Sequence, residues 1–205
     1  MKKTFLLSVS LLALCTACSV ESDSVESVTK MERAIPAKSA FELSESATVL
    51  TQLYLDGNYG LTEISDIAKT VEGLAVSGSF AKEEGLDVSQ YKAVSVTNLS
   101  QIIDQDWSVL NEITAEGHFK QQIIKMVEST DGLESFINVI TNDKDLTAEE
   151  KQLLHEGIKM GTTALEGGID DEWGKRKFTG YILSRQNSEL NVVVTRTVLN
   201  IAMKQ

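Results

Sequence analysis

Over most of the chain, apolar residues recur with the 3.6-residue period of an α-helix, and turn-forming residues cut that pattern into short pieces. The clearest run is Ile64, Ile67, Ala68, Val71, Leu74 and Ala75, at i, i+3, i+4, i+7 spacing, with Thr62 available as N-cap and Gly78 as the stop. Ahead of it, Ala47, Leu50, Leu53 and Tyr54 share a face that ends at Asp56-Gly57-Asn58-Tyr59-Gly60. After it, Leu99, Ile102, Ile103, Trp107, Leu110 and Ile113 read as one helix stopping at Gly117. Phe119, Ile123, Ile124 and Val127 form the next. Asp131, with Glu134 three residues on, predicts a capped helix carrying Leu133, Phe136, Ile137 and Ile140. Thr147-Ala148-Glu149-Glu150 is a capping box ahead of Leu154, Ile158 and Leu165.

Short links between amphipathic helices favour antiparallel neighbours. The expected fold class is therefore mainly α, an antiparallel helical bundle or an irregular helical array. A single proline and 6% aromatics point the same way. Two segments resist this reading. Within residues 79–97, Tyr91 to Val96 could be a short strand or the approach to a helix. Between residues 178 and 203, Leu190, Val193, Val194, Thr197, Val198, Ile201 and Ala202 fit helical spacing. The β-branched run Val192 to Val198 could instead pair with Tyr181-Ile182-Leu183 as a small C-terminal β-hairpin. The helix is preferred because its face continues to Ala202.

The first 19 residues have a different character. Lys2 and Lys3 precede an apolar core from Phe5 to Leu14, then Cys15-Thr16-Ala17 and Cys18. That order is a secretory signal, too short to span a bilayer as a helix. Leu14-Cys15-Thr16-Ala17-Cys18 resembles the cleavage motif of bacterial lipoproteins, with the cut at Ala17 and Cys18 as the lipid-attachment residue. The resemblance implies a diacylglyceryl group on the Cys18 sulfur and a palmitate-type acyl chain on its amine. Two or more chains make a stable anchor. Ser19 after the cysteine implies sorting to the outer membrane, facing the periplasm. The expected organisation is a signal peptide at 1–17, a lipidated cysteine and disordered tether at 18–40, and one helical domain at 41–205. The tether is Ser- and Glu-rich and holds the only proline, Pro36. As a coil it would reach about 26 Å, and fully stretched about 70 Å.

Net charge is −11, and loss of Lys2 and Lys3 with the signal makes the mature chain still more acidic. Such a surface repels nucleic acid and anionic headgroups, so no nucleic-acid partner is expected, and membrane contact falls to Cys18. Both cysteines lie in the first 18 residues, so the domain has no disulfide of its own.

Candidate chemistry is sparse. His118 and His155 read as surface residues on separate helices, and His155-Glu156 lacks the second histidine of a zinc HExxH motif. From Asp143, a calcium loop would need Gly and Glu where Ala148 and Leu154 stand. No metal, cofactor or catalytic residue is expected. Glu134-Ser135 resembles the segment around the catalytic acid of lytic transglycosylases, but without that family's downstream residues, and capping explains Glu134 as well. Gly157 and Gly161 read as close helix packing. Asp170 to Phe178 is a charged stretch with Trp173 and Phe178 interspersed, either a partner-docking loop or a turn with Trp173 tucked inward. The function these features support is a membrane-anchored periplasmic lipoprotein that binds an envelope protein, with its charge favouring a basic one, as an assembly helper, secretion accessory or toxin-immunity module. A peptidoglycan-active enzyme is the alternative.

Overall fold

The computed structural model describes residues 37–115, 117–163 and 171–204, and the regular elements among them are helical. Helix α1 (Ala40–Asp56) begins with a capping box: the Ser39 hydroxyl accepts the Glu42 N–H at 3.3 Å, and the Glu42 carboxylate accepts the Ser39 N–H at 2.8 Å. The Lys38 N–H donates to Glu189 Oε1 at 2.7 Å. Lys38 to Ala40, expected in the tether, therefore belong to the fold. The expected signal at 1–17, Cys18 and the expected tether to residue 36 lie outside the described residues.

Helix α2 (Ile64–Glu72) buries Ile67, Ala68 and Val71, as the period predicted, and runs into a π-helical turn (Gly73–Ser77) that ends at Gly78. Its N-cap is Glu63, without a side-chain bond, so Thr62 does not cap it. A single turn, α3 (Phe80–Glu83), precedes an irregular approach to α4 (Val96–Ile103), which Ser95 caps. Tyr91 to Val96 is thus not a strand. The approach is held instead by the Asn191 amide, which accepts the Lys92 N–H at 3.2 Å and donates to the Lys92 carbonyl at 2.6 Å. These two bonds satisfy the backbone groups that a sheet partner would otherwise take.

The single helix expected from Leu99 to Ile113 is two pieces. Gln105 turns left-handed at φ 58°, and Asp106 caps a 3₁₀ turn (Trp107–Glu112) by accepting the Ser108 N–H at 3.0 Å. A short acidic side chain that bonds the backbone two residues on competes with helix continuation. Helix α5 (His118–Glu128) follows. Next come a 3₁₀ turn (Leu133–Phe136) and α6 (Ile137–Asn142). Asp131 caps neither. Gly132 holds the N-cap position, and the Asp131 N–H itself donates to Ser129 Oγ. Helix α7 (Ala148–Thr162) opens with the expected box between Thr147 and Glu150. Leu165, Gly167 and Gly168 lie outside the described residues.

The C-terminal alternative is decided for helix. Residues 171–202 form α8 (Asp171–Arg185) and α9 (Glu189–Ala202), so the hairpin does not form. Helix α9 is buried from Leu190 through Ile201 and packs against α1, α2 and α8. A helix apolar on all sides is a core helix. Within it Thr197 Oγ1 donates to the Ala47 carbonyl at 3.2 Å and Arg196 Nη1 to the Met160 carbonyl at 2.6 Å, near the end of α7, while Arg196 Nε and Nη2 are buried without a hydrogen-bond partner among the described residues. Helices α7 and α8 approach closely. A Cβ on Gly157 would stand 2.9 Å from the Phe178 ring, and one on Gly161 2.7 Å from the Gly174 carbonyl oxygen. The glycines at 157 and 161 therefore seat one helix on the other.

Candidate functional site

Helix α1 is apolar on two sides. Leu43, Ala47, Leu50 and Tyr54 face the core, while Phe41, Val49, Leu53 and Leu55 are 62%, 46%, 42% and 48% exposed. Leu53 therefore leaves the inward face that its neighbours suggested. Val49 and Leu53 are neighbours one turn apart, and Phe41 stands two turns before Val49 with Glu45 at the position between them. Scattered surface leucines are ordinary; several large apolar side chains on one helix mark a surface that another molecule covers.

Of the four exposed apolar residues on α1, Leu55 lines a depression of about 270 Å³ at the end of the helix, together with Tyr54, Tyr59, Leu61, Ile201 and Lys204. Two left-handed residues shape the turn beside it, Asn58 at φ 47° and Gly60 at φ 62°. That turn brings the Tyr59 ring to 5.2 Å from the Tyr54 ring, centroid to centroid, tilted at 41°. A Cβ on Gly57 would run into the Tyr59 ring. Burial raises the Tyr54 phenol pKa, with a smaller opposing effect from the Leu61 backbone. The two rings present an apolar wall with a polar tip. The charges on α1 are acidic, Glu42, Glu45 and Asp56 with no Lys or Arg, while the charged residue lining the depression is Lys204. Such a surface can take apolar anchors surrounded by positive charge.

The residues singled out from sequence fall elsewhere. The Asp170 to Phe178 stretch is not a loop: from Asp171 it is the first half of α8, with Asp171 and Glu172 in the first turn, where acids favour the helix dipole. Phe178 is 0% exposed against Gly157 and offers nothing to a partner. Trp173 is half-buried, with Lys177 Nζ 5.0 Å from its ring centroid. Burial pulls the Lys177 ammonium down to about 8, with a further push from Arg196. Burial lowers Arg196 itself to about 10. Cys18 lies outside the described residues.

Glu134 sits on the first 3₁₀ turn after α5, where it lines, with Asp171, a depression of about 150 Å³. His155 is half-buried on α7, 3.3 Å from Thr141 Oγ1. His118 is not isolated: its Nε2 lies 2.7 Å from Asp143 Oδ2, across the turn that joins α6 to α7. No local spacing could reveal this pair, since 25 residues separate its members. The α1 surface did leave a signal in the sequence, because Phe41, Val49 and Leu55 are large apolar residues off the face that Ala47, Leu50 and Tyr54 define. Among the described residues no helix is long and apolar enough to cross a membrane. Compared with protein-family models, with curated proteins and with solved structures, the chain finds no match.

Proposed function

We propose that this chain is a lipoprotein anchored to the outer membrane through Cys18, facing the periplasm, whose helical domain binds an envelope protein through α1. The observation that carries the binding half is the set of large apolar side chains that α1 leaves exposed, Phe41, Val49, Leu53 and Leu55. The partner we infer presents apolar side chains with basic neighbours, because the charges on α1 itself are all acidic and the whole chain carries −11. Fully burying such a side chain from complete exposure is worth roughly 1.5–3 kcal/mol, and these are 42–62% exposed, so each contributes about half of that and several must be covered together. The lipid on Cys18 would hold α1 within about 70 Å of the bilayer and raise its effective concentration for membrane partners. The short links between helices support an antiparallel array as the frame that keeps α1 in place.

The test is site-specific photocrosslinking in intact cells of the organism. A photoreactive residue at Leu53 or Phe41 should capture a discrete partner, and one at exposed Asn138 on α6 should not. Leu53→Asp should weaken capture at the Phe41 probe at least tenfold, a loss of about 1.4 kcal/mol. Equal capture from both faces would overturn the reading. Cys18→Ser should release the protein from the membrane fraction, and retention there would remove the anchor from the proposal.

A second reading, a peptidoglycan-active enzyme, rests on Glu134 and Asp171 lining one depression. Glycoside hydrolysis commonly uses two carboxylates flanking the scissile bond. Zymography of the protein and of Glu134→Gln separates the two readings: clearing that disappears in the variant would favour the enzyme.

A further inference from the structure

The turn between α6 and α7 carries a carboxylate that its surroundings nearly enclose. Asp143 closes α6 as its C-cap, and its side chain is 10% exposed. Its oxygens are satisfied: Oδ1 accepts the Asp145 N–H at 2.9 Å, and Oδ2 accepts from His118 Nε2 at 2.7 Å and from Gln122 Nε2 at 3.0 Å. His118 and Gln122 stand one helical turn apart at the start of α5, so the carboxylate fastens the turn to that helix. On its other side α6 rests on α7, where Lys151 Nζ donates to the Thr141 carbonyl at 3.2 Å and His155 Nε2 lies 3.3 Å from Thr141 Oγ1.

The bonds are complete, but the charge is balanced only conditionally. Among the described residues no Lys or Arg pairs directly with Asp143; Lys151 acts on it from farther off, with its ammonium engaged at Thr141. Gln122 is neutral in every state, and a backbone N–H carries no full charge. Among those residues the cation in contact with the carboxylate is therefore the His118 imidazolium, which exists only while the ring holds two protons. A neutral ring can keep the Nε2–H bond and still give up the counter-charge. An enclosed carboxylate that loses its counter-charge gains by turning to water.

The surrounding charges fix the direction. The bond to Asp143 raises the His118 pKa above 6.5, against an opposing effect of burial, and the charges of Asp143, Asp145 and Glu150 add to the rise. The His118 bond, and then the Asp145 N–H, hold the Asp143 carboxyl below its ordinary range, so it stays ionised while His118 titrates. Glu116, two residues before His118, lies outside the described residues. A group whose pKa is raised on folding stabilises below its unfolded pKa, and that contribution is lost as pH rises through the raised value.

We propose that His118 and Asp143 form an acid-strengthened clasp: while His118 holds its second proton the α6–α7 turn is locked against α5, and when that proton leaves, the turn and α6 loosen. Gln122 goes on donating to Oδ2 in both states, so the change is a local opening of residues 137–146 and not an unfolding of the domain. The clasp shares no residue with the α1 surface.

The test follows the full chain by NMR from about pH 5 to about 8, the range over which histidine changes charge. The chain has two histidines, so His118→Gln identifies the His118 ring signal by its disappearance. The midpoint of that signal should lie above 6.5 and fall in Asp143→Asn, where a neutral amide oxygen can still accept from Nε2. Amide exchange, corrected for the intrinsic effect of pH, should show residues 137–146 losing protection as pH rises through that midpoint, with α9 unchanged. By linkage the fold-loss of protection should match the factor by which Asp143→Asn weakens proton binding at His118. In His118→Gln the same residues should show one level of protection at every pH, which keeps the test decisive if Asp143→Asn folds poorly. His155→Gln should leave both the midpoint and the exchange profile as they are. A midpoint at or below 6.5, a midpoint unmoved in Asp143→Asn, flat protection of residues 137–146 across the titration, an equal loss in α9, or loss of the pH dependence in His155→Gln would each overturn the clasp.

Discussion

Helices α1 and α9 are alike in composition and opposite in fate. Both are long, both carry apolar residues around most of their circumference, and they pack against each other. Helix α9 is covered on every side by α1, α2 and α8, so Leu190 to Ile201 are all buried. Helix α1 is covered on one side, and Phe41, Val49, Leu53 and Leu55 remain in water. The contrast teaches that all-round apolarity has two physical meanings. On a central helix it is core; on a peripheral helix it is surface awaiting a partner.

The comparison is sharpened most by the same kind of change on each helix. Leu190→Ala, at a site with 0% exposure, should cost about 2–5 kcal/mol in chemical denaturation. A loss under about 1 kcal/mol would show that α9 is not the centre of the core. Gly161→Ala drives a Cβ to 2.7 Å from the Gly174 carbonyl, a backbone atom that cannot swing aside. Overpacking there should cost about 1–3 kcal/mol, and a neutral result would mean that α7 and α8 sit farther apart. Ser39→Ala removes the α1 cap and should cost about 1 kcal/mol, read from the melting curve. Leu53→Ser on the outer face of α1 should move stability by no more than about 0.5 kcal/mol while weakening partner capture. If it destabilised the domain as Leu190→Ala does, the distinction between the two helices would fail.

The smallest expected effect is in pH dependence. Burial, and then Arg196, lower the Lys177 pKa from 10.5 to about 8. Between those values the unfolded chain holds more protons, so stability should rise with pH there. Solvent screens this half-exposed group, so the rise is modest. Denaturation of the protein and of Lys177→Met at several alkaline pH values checks it: the variant should lack that part of the rise.

Several elements were legible because a one-sided apolar face leaves its period in the sequence. Ile67, Ala68 and Val71 of α2 and Phe119, Ile123 and Val127 of α5 are buried as their spacing predicted. The Thr147 box was legible because a cap is a contact over three residues. Helix α9 was ambiguous between helix and hairpin because burial on all sides fills Val192-Val193-Val194 without a gap and erases the period. The break at Asp104 to Asp106 was missed because a capping aspartate looks like any exposed acid within an amphipathic run. Half of the α1 surface was visible as apolar residues off the main face, but its exposure was not. The His118–Asp143 pair was not visible at all.

By itself the sequence determined a predominantly helical chain, the cap at Thr147, an acidic composition and a chain without cysteine after residue 18. Each of these depends on composition or on contacts within three or four residues. Only the tertiary structure decided which apolar helix is enclosed and which is left open, and which acid meets His118. Those outcomes depend on contacts such as Thr197 with Ala47, 150 residues apart, and no local period records which distant segment will arrive to exclude water.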